Sequence, residues 1–255
     1  MTKFIFFITC FLFLNVIHAQ ETACLELYKE FKNGETAYLF GDNVRLRENP
    51  STDSESLKLL KIGDRIEIIE KTTLTNTFQG MESPWYKVTH NKDVGYVLGG
   101  LISKSEVENN DLRCFINFEI MDDKPYIITR VLPNSNSIYF ENKSAYLGDN
   151  HAFCITLFDN RGVVGIHNII YINYLPESCA ANSGGYYLFF DNKNLHKAMD
   201  LTSRGEYGYS DTESLYFPMD DLGQENKIIY ISEENSYVDT LSEEDHYIWN
   251  KTSKF

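Results

Sequence analysis

The sequence predicts an all-β protein built in two consecutive regions, and three observations carry that expectation. Runs such as Arg65-Ile66-Glu67-Ile68-Ile69-Glu70 and Trp85-Tyr86-Lys87-Val88-Thr89 nearly alternate apolar with polar residues, the period of half-buried strands. Further along, segments rich in Ile, Tyr and Phe recur between groups of Asp, Asn and Gly that favour turns. Charge divides the chain unevenly: residues 20–105 carry 11 basic and 13 acidic side chains, whereas residues 106–255 carry 11 and 24. The polar run from Lys104 to Asp111 sits at the change and reads as a linker.

At the amino terminus, Lys3 gives a positive start, Phe4 to Ile17 is almost wholly apolar, and Ile17-His18-Ala19 is an acceptable small-residue cleavage site. Residues 1–19 are therefore expected to be a signal peptide cut after Ala19, placing the protein in the periplasm or outside the cell. The apolar run is shorter than the ~20 residues of a bilayer-spanning helix, and no later segment matches it, so no transmembrane segment is expected after cleavage. Cys10 lies inside the apolar run rather than after it, which argues against a lipid-modified cysteine. A short helix is expected at Thr22 to Phe31, within an N-terminal segment of residues 20–35, because Cys24, Tyr28 and Phe31 would share one face.

The net charge of -14 excludes two classes of partner. Affinity for phosphate backbones comes from clustered Lys and Arg that release counterions, so a nucleic-acid partner is not expected. The same balance argues against an anionic membrane surface.

Without Cys10, four cysteines remain in a compartment where disulfides persist: Cys24, Cys114, Cys154 and Cys179. Three pairings are open. Cys24 and Cys114 flank the first region while Cys154 and Cys179 lie within the second, which favours those two bridges. Neither a C-x-x-C pair nor zinc-type spacing occurs, so no metal site is expected at the cysteines.

Within the first region, Asn43-Val44-Arg45-Leu46-Arg47 is followed by Pro50-Ser51, then by Leu60-Lys61-Ile62-Gly63-Asp64, Trp85-Tyr86-Lys87-Val88 and Gly95-Tyr96-Val97. In content and order these elements resemble the bacterial SH3 family (SH3b), and residues 36–105 are read as such a domain. The resemblance implies a small barrel, with Val44, Leu46, Ile66, Ile68, Val88 and Val97 turned into its interior. It also implies a non-catalytic module that binds cell-wall peptides or other envelope ligands. Tyr38, Trp85, Tyr86 and Tyr96 are the candidate aromatic recognition surface, since an aromatic ring joins an apolar face to a polar tip. Trp85 and Tyr96 also stand where the family packs its barrel, so a core role competes. The stretch Lys71 to Ser83 is longer than the family's usual connection, which bears on whether a groove is altered or covered.

Residues 112–255 form the acidic second region, expected as a β-rich sandwich or barrel. Candidate strands are Cys114 to Met121, Pro125 to Leu132, Ala152 to Phe158, Asn168 to Tyr174, Tyr186 to Phe190, Ser214 to Phe217 and Lys227 to Ser232. Asp122-Asp123-Lys124, Asp159 to Gly162, Asp191 to Asn194 and Asp220 to Gly223 supply turns. Ser242-Glu243-Glu244-Asp245 offers a loose cap for a terminal helix.

No G-x-S-x-G elbow, H-E-x-x-H, phosphate-cradling glycine loop or G-x-G-x-x-G is present. Cys179 continues as Ala180-Ala181-Asn182-Ser183-Gly184, unlike the D-C-S-G-like setting of the cysteine peptidases that often accompany bacterial SH3 domains. His151 and Cys154, three apart on a strand, point to opposite faces and make a poor base and nucleophile. Asp220, Asp221, Glu225 and Asn226 are the densest oxygen cluster for a hard cation but lack the alternating spacing of an EF-hand. Glu206 and Asp211 could serve glycoside hydrolysis only if geometry places them across a substrate. The sequence thus favours a non-catalytic, extracytoplasmic binding protein without cofactor whose partner is a cell-wall or envelope peptide or protein. The alternative is an envelope hydrolase whose second region carries an unrecognised catalytic fold.

Overall fold

A computed structural model describes residues 21–109, 111–135, 137–149, 151–237 and 246–254. The expected signal peptide and the helix start at Ser242 to Asp245 lie outside the described residues. Within them the protein is built from strands, with a single 3-10 turn at Gly99–Leu101. No described helix is long and apolar enough to cross a membrane.

The chain opens with β1 (Glu21–Glu26), a strand where the sequence suggested a helix. Leu25 is buried with Ala23 packed on the same core, and Thr22 and Glu26 face outward, so the period of two prevails once a neighbouring strand supplies the ladder. Six strands follow: β2 (Thr36–Tyr38), β3 (Val44–Arg47), β4 (Ser56–Leu60), β5 (Arg65–Phe78), β6 (Met81–His90) and β7 (Asp93–Leu98). They form one sheet in the order β2-β5-β6-β7-β3-β4. This is the expected barrel, and all six anticipated interior residues meet in its core together with Leu39, Leu60, Tyr86 and Ile102. Phe31, from the segment before β2, joins that core, its ring edge-on to Tyr86 at 5.4 Å.

The run taken for a linker is partly a strand, β8 (Ser105–Glu108), because Val107 is buried while its neighbours are not. It is followed by β9 (Leu112–Met121), β10 (Lys124–Pro133) and β11 (Phe140–Ala145), and these four make a sheet in the order β11-β10-β9-β8. Next come β12 (Ala152–Phe158), β13 (Asn168–Tyr174), β14 (Gly185–Phe190) and β15 (Leu195–Leu201). With β1 they make a five-stranded sheet, β1-β12-β13-β14-β15. The two sheets face each other across one core that includes Leu25, Cys114, Phe118, Ile155, Ile172 and Leu188, which is the expected sandwich. A meander of β16 (Ser203–Glu206), β17 (Tyr209–Tyr216), β18 (Ile229–Tyr237) and β19 (His246–Lys254) completes the chain. Phe217 and Leu215 pack with Ile169, Tyr187 and Phe189 of β13 and β14, covering the outer side of the five-stranded sheet.

This arrangement changes the domain plan. Both β1 and β8 belong to the sandwich, and the barrel lies between them in sequence, so the barrel is an insertion in the sandwich rather than a domain that precedes it. The disulfide follows from the same topology. Cys24 and Cys154 are direct partners in the β1–β12 ladder and are bonded to each other. The expected Cys24–Cys114 and Cys154–Cys179 bridges are therefore not formed. Cys114 faces the sandwich core, fully buried, and burial pushes its thiol far above the ordinary range; Cys179 is exposed in the β13–β14 connection.

Candidate ligand-binding site

The four aromatic residues singled out in the barrel do not form one surface. Tyr86 points inward, 1 % exposed, and its hydroxyl accepts the Phe31 N–H at 3.3 Å; burial raises the phenol above its usual range. Trp85, on the opposite side of β6, is 2 % exposed, and its indole N–H donates to Asn76 at 3.2 Å. Both are structural residues. The reason is the long connection: Lys71 to Ser83 continues the β5–β6 hairpin, and its Asn76 reaches the indole. Gln79 and Gly80 turn the hairpin with φ of 51° and 75°, as a two-residue turn with both centres left-handed requires. At that tip Ile120 of β9 donates its N–H to the Gln79 carbonyl at 2.9 Å, and Met81 packs against the sandwich core.

Tyr38 is half-buried between the two bodies. The Arg113 guanidinium lies 5.0 Å from its ring and 4.9 Å from that of Phe115, donates to the Gly63 carbonyl at 3.1 Å and is ion-paired with Glu106. Burial, then the nearby Glu106 carboxylate, raises the Tyr38 phenol against the opposing pull of Arg113. A second arginine repeats the device: Arg130 lies 4.2 Å over Phe40, donates to the Phe40 carbonyl at 2.6 Å and pairs with Glu141. Phe40 and Ile62 of the barrel close this contact against Phe115 and Ile128. Asn117, fully buried, donates to the Gly100 carbonyl at 2.6 Å. One side of the barrel is thus occupied by the sandwich.

Lysine 104 stands at the same junction. Its ammonium lies 5.1 Å over Phe31 and donates to the Lys29 carbonyl at 3.0 Å, and burial, then the like charge of Lys29, pushes it down to about 8, with Glu30 opposing. Lys29 itself is paired with Glu35 at 2.9 Å.

Of the four aromatics only Tyr96 remains on an outer barrel surface, half-buried on β7 and paired in register with Arg47 of β3. With Val44 and Leu46 inside, Arg45 and Arg47 face out, and beside them on β4 Leu57 and Leu59 are exposed, as is Val94 on β7. This face brings an aromatic ring, two guanidinium groups and apolar side chains together. The arginines were overlooked by sequence reasoning that looked only for aromatics, although the alternation of Val44-Arg45-Leu46-Arg47 already carried the signal.

Three of the chemical candidates of the second region have structural partners. Cys154 is in the disulfide, and His151 packs edge-on against Tyr28 at 5.1 Å. Asp220 is ion-paired with Arg161 and accepts the Phe217 N–H at 2.9 Å. Glu206 and Asp211 lie on the paired strands β16 and β17, opposite Tyr209 and Arg204 respectively.

Compared with known protein families, residues 42–103 match the bacterial SH3 domain. No curated protein and no solved structure matches the chain.

Proposed function

We propose that the bacterial SH3 domain at residues 42–103 is a cell-wall binding module whose contact surface is the outer face of β3, β4 and β7, and that it holds its ligand without breaking a bond. The observation that carries this reading is the match itself, on a barrel one side of which is filled by the sandwich. Arg45 and Arg47 suit the carboxylates of a wall stem peptide or of an acidic envelope protein, because a guanidinium meets a carboxylate in a fixed two-pronged geometry. Tyr96, Leu57 and Leu59 supply the apolar part of the contact. The signal peptide of residues 1–19 delivers the chain outside the cytoplasm, where the Cys24–Cys154 disulfide persists.

Co-sedimentation with purified wall sacculi tests the reading. Wild-type protein should pellet with the sacculi, and Arg45→Ala with Tyr96→Ala should remain in solution while keeping the wild-type melting temperature. Wild-type protein that stays in the supernatant would refute wall binding, and a cleared band in a wall zymogram would refute the non-catalytic assignment. Mass spectrometry of exported protein should find Gln20 as the amino terminus.

A further inference from the structure

The open end of the sandwich holds a cleft of about 310 Å3 that is separate from the barrel face. Four segments border it, two from each sheet: the start of β9, the end of β10, the start of β13 and the end of β14. Asp111, His167 and Asn192 line its rim, and Leu112, Pro133 and Phe190 line its floor.

The backbone around the rim is hydrogen-bonded, whereas the side chains of Asp111, His167 and Asn192 are exposed. Asn109 accepts the N–H groups of Asp111 and Leu112 through its side-chain oxygen at 3.0 and 2.9 Å, and Asn134 donates its N–H to the Asp111 carbonyl at 2.9 Å. Across the cleft, the His167 N–H donates to the Phe190 carbonyl at 2.7 Å. The β14–β15 turn is capped by Asp191, whose carboxylate accepts the N–H groups of Lys193 and Asn194, leaving Asn192 at φ 70° with no capping duty. The backbone is pinned on all sides, yet the Asp111 carboxylate, the His167 ring and the Asn192 amide have no hydrogen-bond partner among the described residues.

The chemistry of the lining selects the ligand. Among the described residues no Lys or Arg lines the cleft, so an anion would find no counter-charge there, in a region that is itself strongly acidic. An amide offers a donor and an acceptor, an imidazole can do the same, and a carboxylate accepts from two adjacent hydroxyls, which together match the alternating demands of vicinal hydroxyl groups. The floor presents apolar surface to the C–H face of a ring. The volume lies at the small end of ligand sites, which run ~300–1,000 Å3, too little for an extended peptide. We propose that this cleft binds a small neutral saccharide.

The test is titration of the full exported chain with chitobiose, cellobiose and maltose, with inorganic phosphate and an acidic hexapeptide as chemically different probes, followed by calorimetry and by the imidazole resonances of His167. At least one disaccharide should bind and shift those resonances, and Asn192→Gly, which keeps the left-handed backbone, and Asp111→Ala should each weaken binding at least tenfold with unchanged melting temperature. Both residues are exposed, so loss of fold is not expected to obscure the result. The proposal fails if none of the disaccharides binds, if phosphate or the peptide binds more tightly, or if both variants bind as wild type. The outcome is independent of sacculus binding through the barrel, because Arg45 and Tyr96 are untouched.

Discussion

The barrel and the sandwich are stabilised on different length scales. The barrel closes on residues 31–102, a continuous stretch, and its core is complete within that stretch. The sandwich closes only when β1 pairs with β12, bringing Cys24 to Cys154 across a sequence separation of 130. A body made from local pairings can form early, whereas one that needs its first strand returned from so far must pay a large loop-closure entropy. The disulfide therefore sits where the chain's longest loop is closed, and the rigid barrel occupies most of that loop.

Separating the two bodies by mutation follows from this contrast. Replacing Cys24 and Cys154 by Ser should have the largest effect, up to ~5 kcal/mol on the chain-entropy account of a loop this long. Hydrogen exchange should show the loss concentrated in β1 and β12, with the barrel amides still protected; uniform loss across both bodies would contradict the separation. Trp85→Ala should cost ~3–5 kcal/mol, because it empties a buried site and orphans Asn76. Here urea unfolding should find the barrel affected first, and a near-wild-type transition would return Trp85 to the surface.

A smaller change sharpens the coupling between the bodies. Gly80 has φ of 75°, and a Cβ there would stand 2.1 Å from the Ile120 carbonyl oxygen, so the tip must withdraw from β9 in Gly80→Ala. Strain and lost contact together should cost ~1–3 kcal/mol, with faster exchange at the Ile120 amide as the diagnostic signal.

The electrostatic effect is read as a trend with pH. Lys104 titrates at about 8 in the folded protein against 10.5 as its ordinary value, so between those values the unfolded chain binds more protons than the folded one. Stability contributed by this group therefore rises with pH across that window. Lys104→Met should abolish this rise, measured as the difference between wild-type and variant melting temperatures from pH 7 to pH 10. A difference that does not change with pH would mean that the ammonium is not desolvated at the junction.

What could be read from the chain beforehand follows the same division. Alternation placed Val44, Leu46, Ile66 and Ile68 inside the barrel, and Asp-, Asn- and Gly-rich turns marked where strands end, because these signals lie within a few residues of each other. Central strands of the sandwich were equally legible: β14 is buried on every residue and reads as an unbroken apolar run. The strands that sequence reasoning overlooked there, β8, β11, β15, β16 and β19, together with β1 taken for a helix, are the outer strands of their sheets. An edge strand has one neighbour and a side open to water, so its composition is polar and its pattern resembles a loop or a linker.

The sequence by itself determined the all-β class, the barrel with its interior residues, and the turns, since each rests on short-range stereochemistry and on the period of two. Tertiary structure alone decided which cysteine meets Cys24, that Trp85 and Tyr86 are buried, that Tyr38 serves a junction, and that Asp111, His167 and Asn192 border one cleft. Each of these depends on register and packing between segments far apart in the chain, where no local pattern of residues specifies which neighbour will arrive.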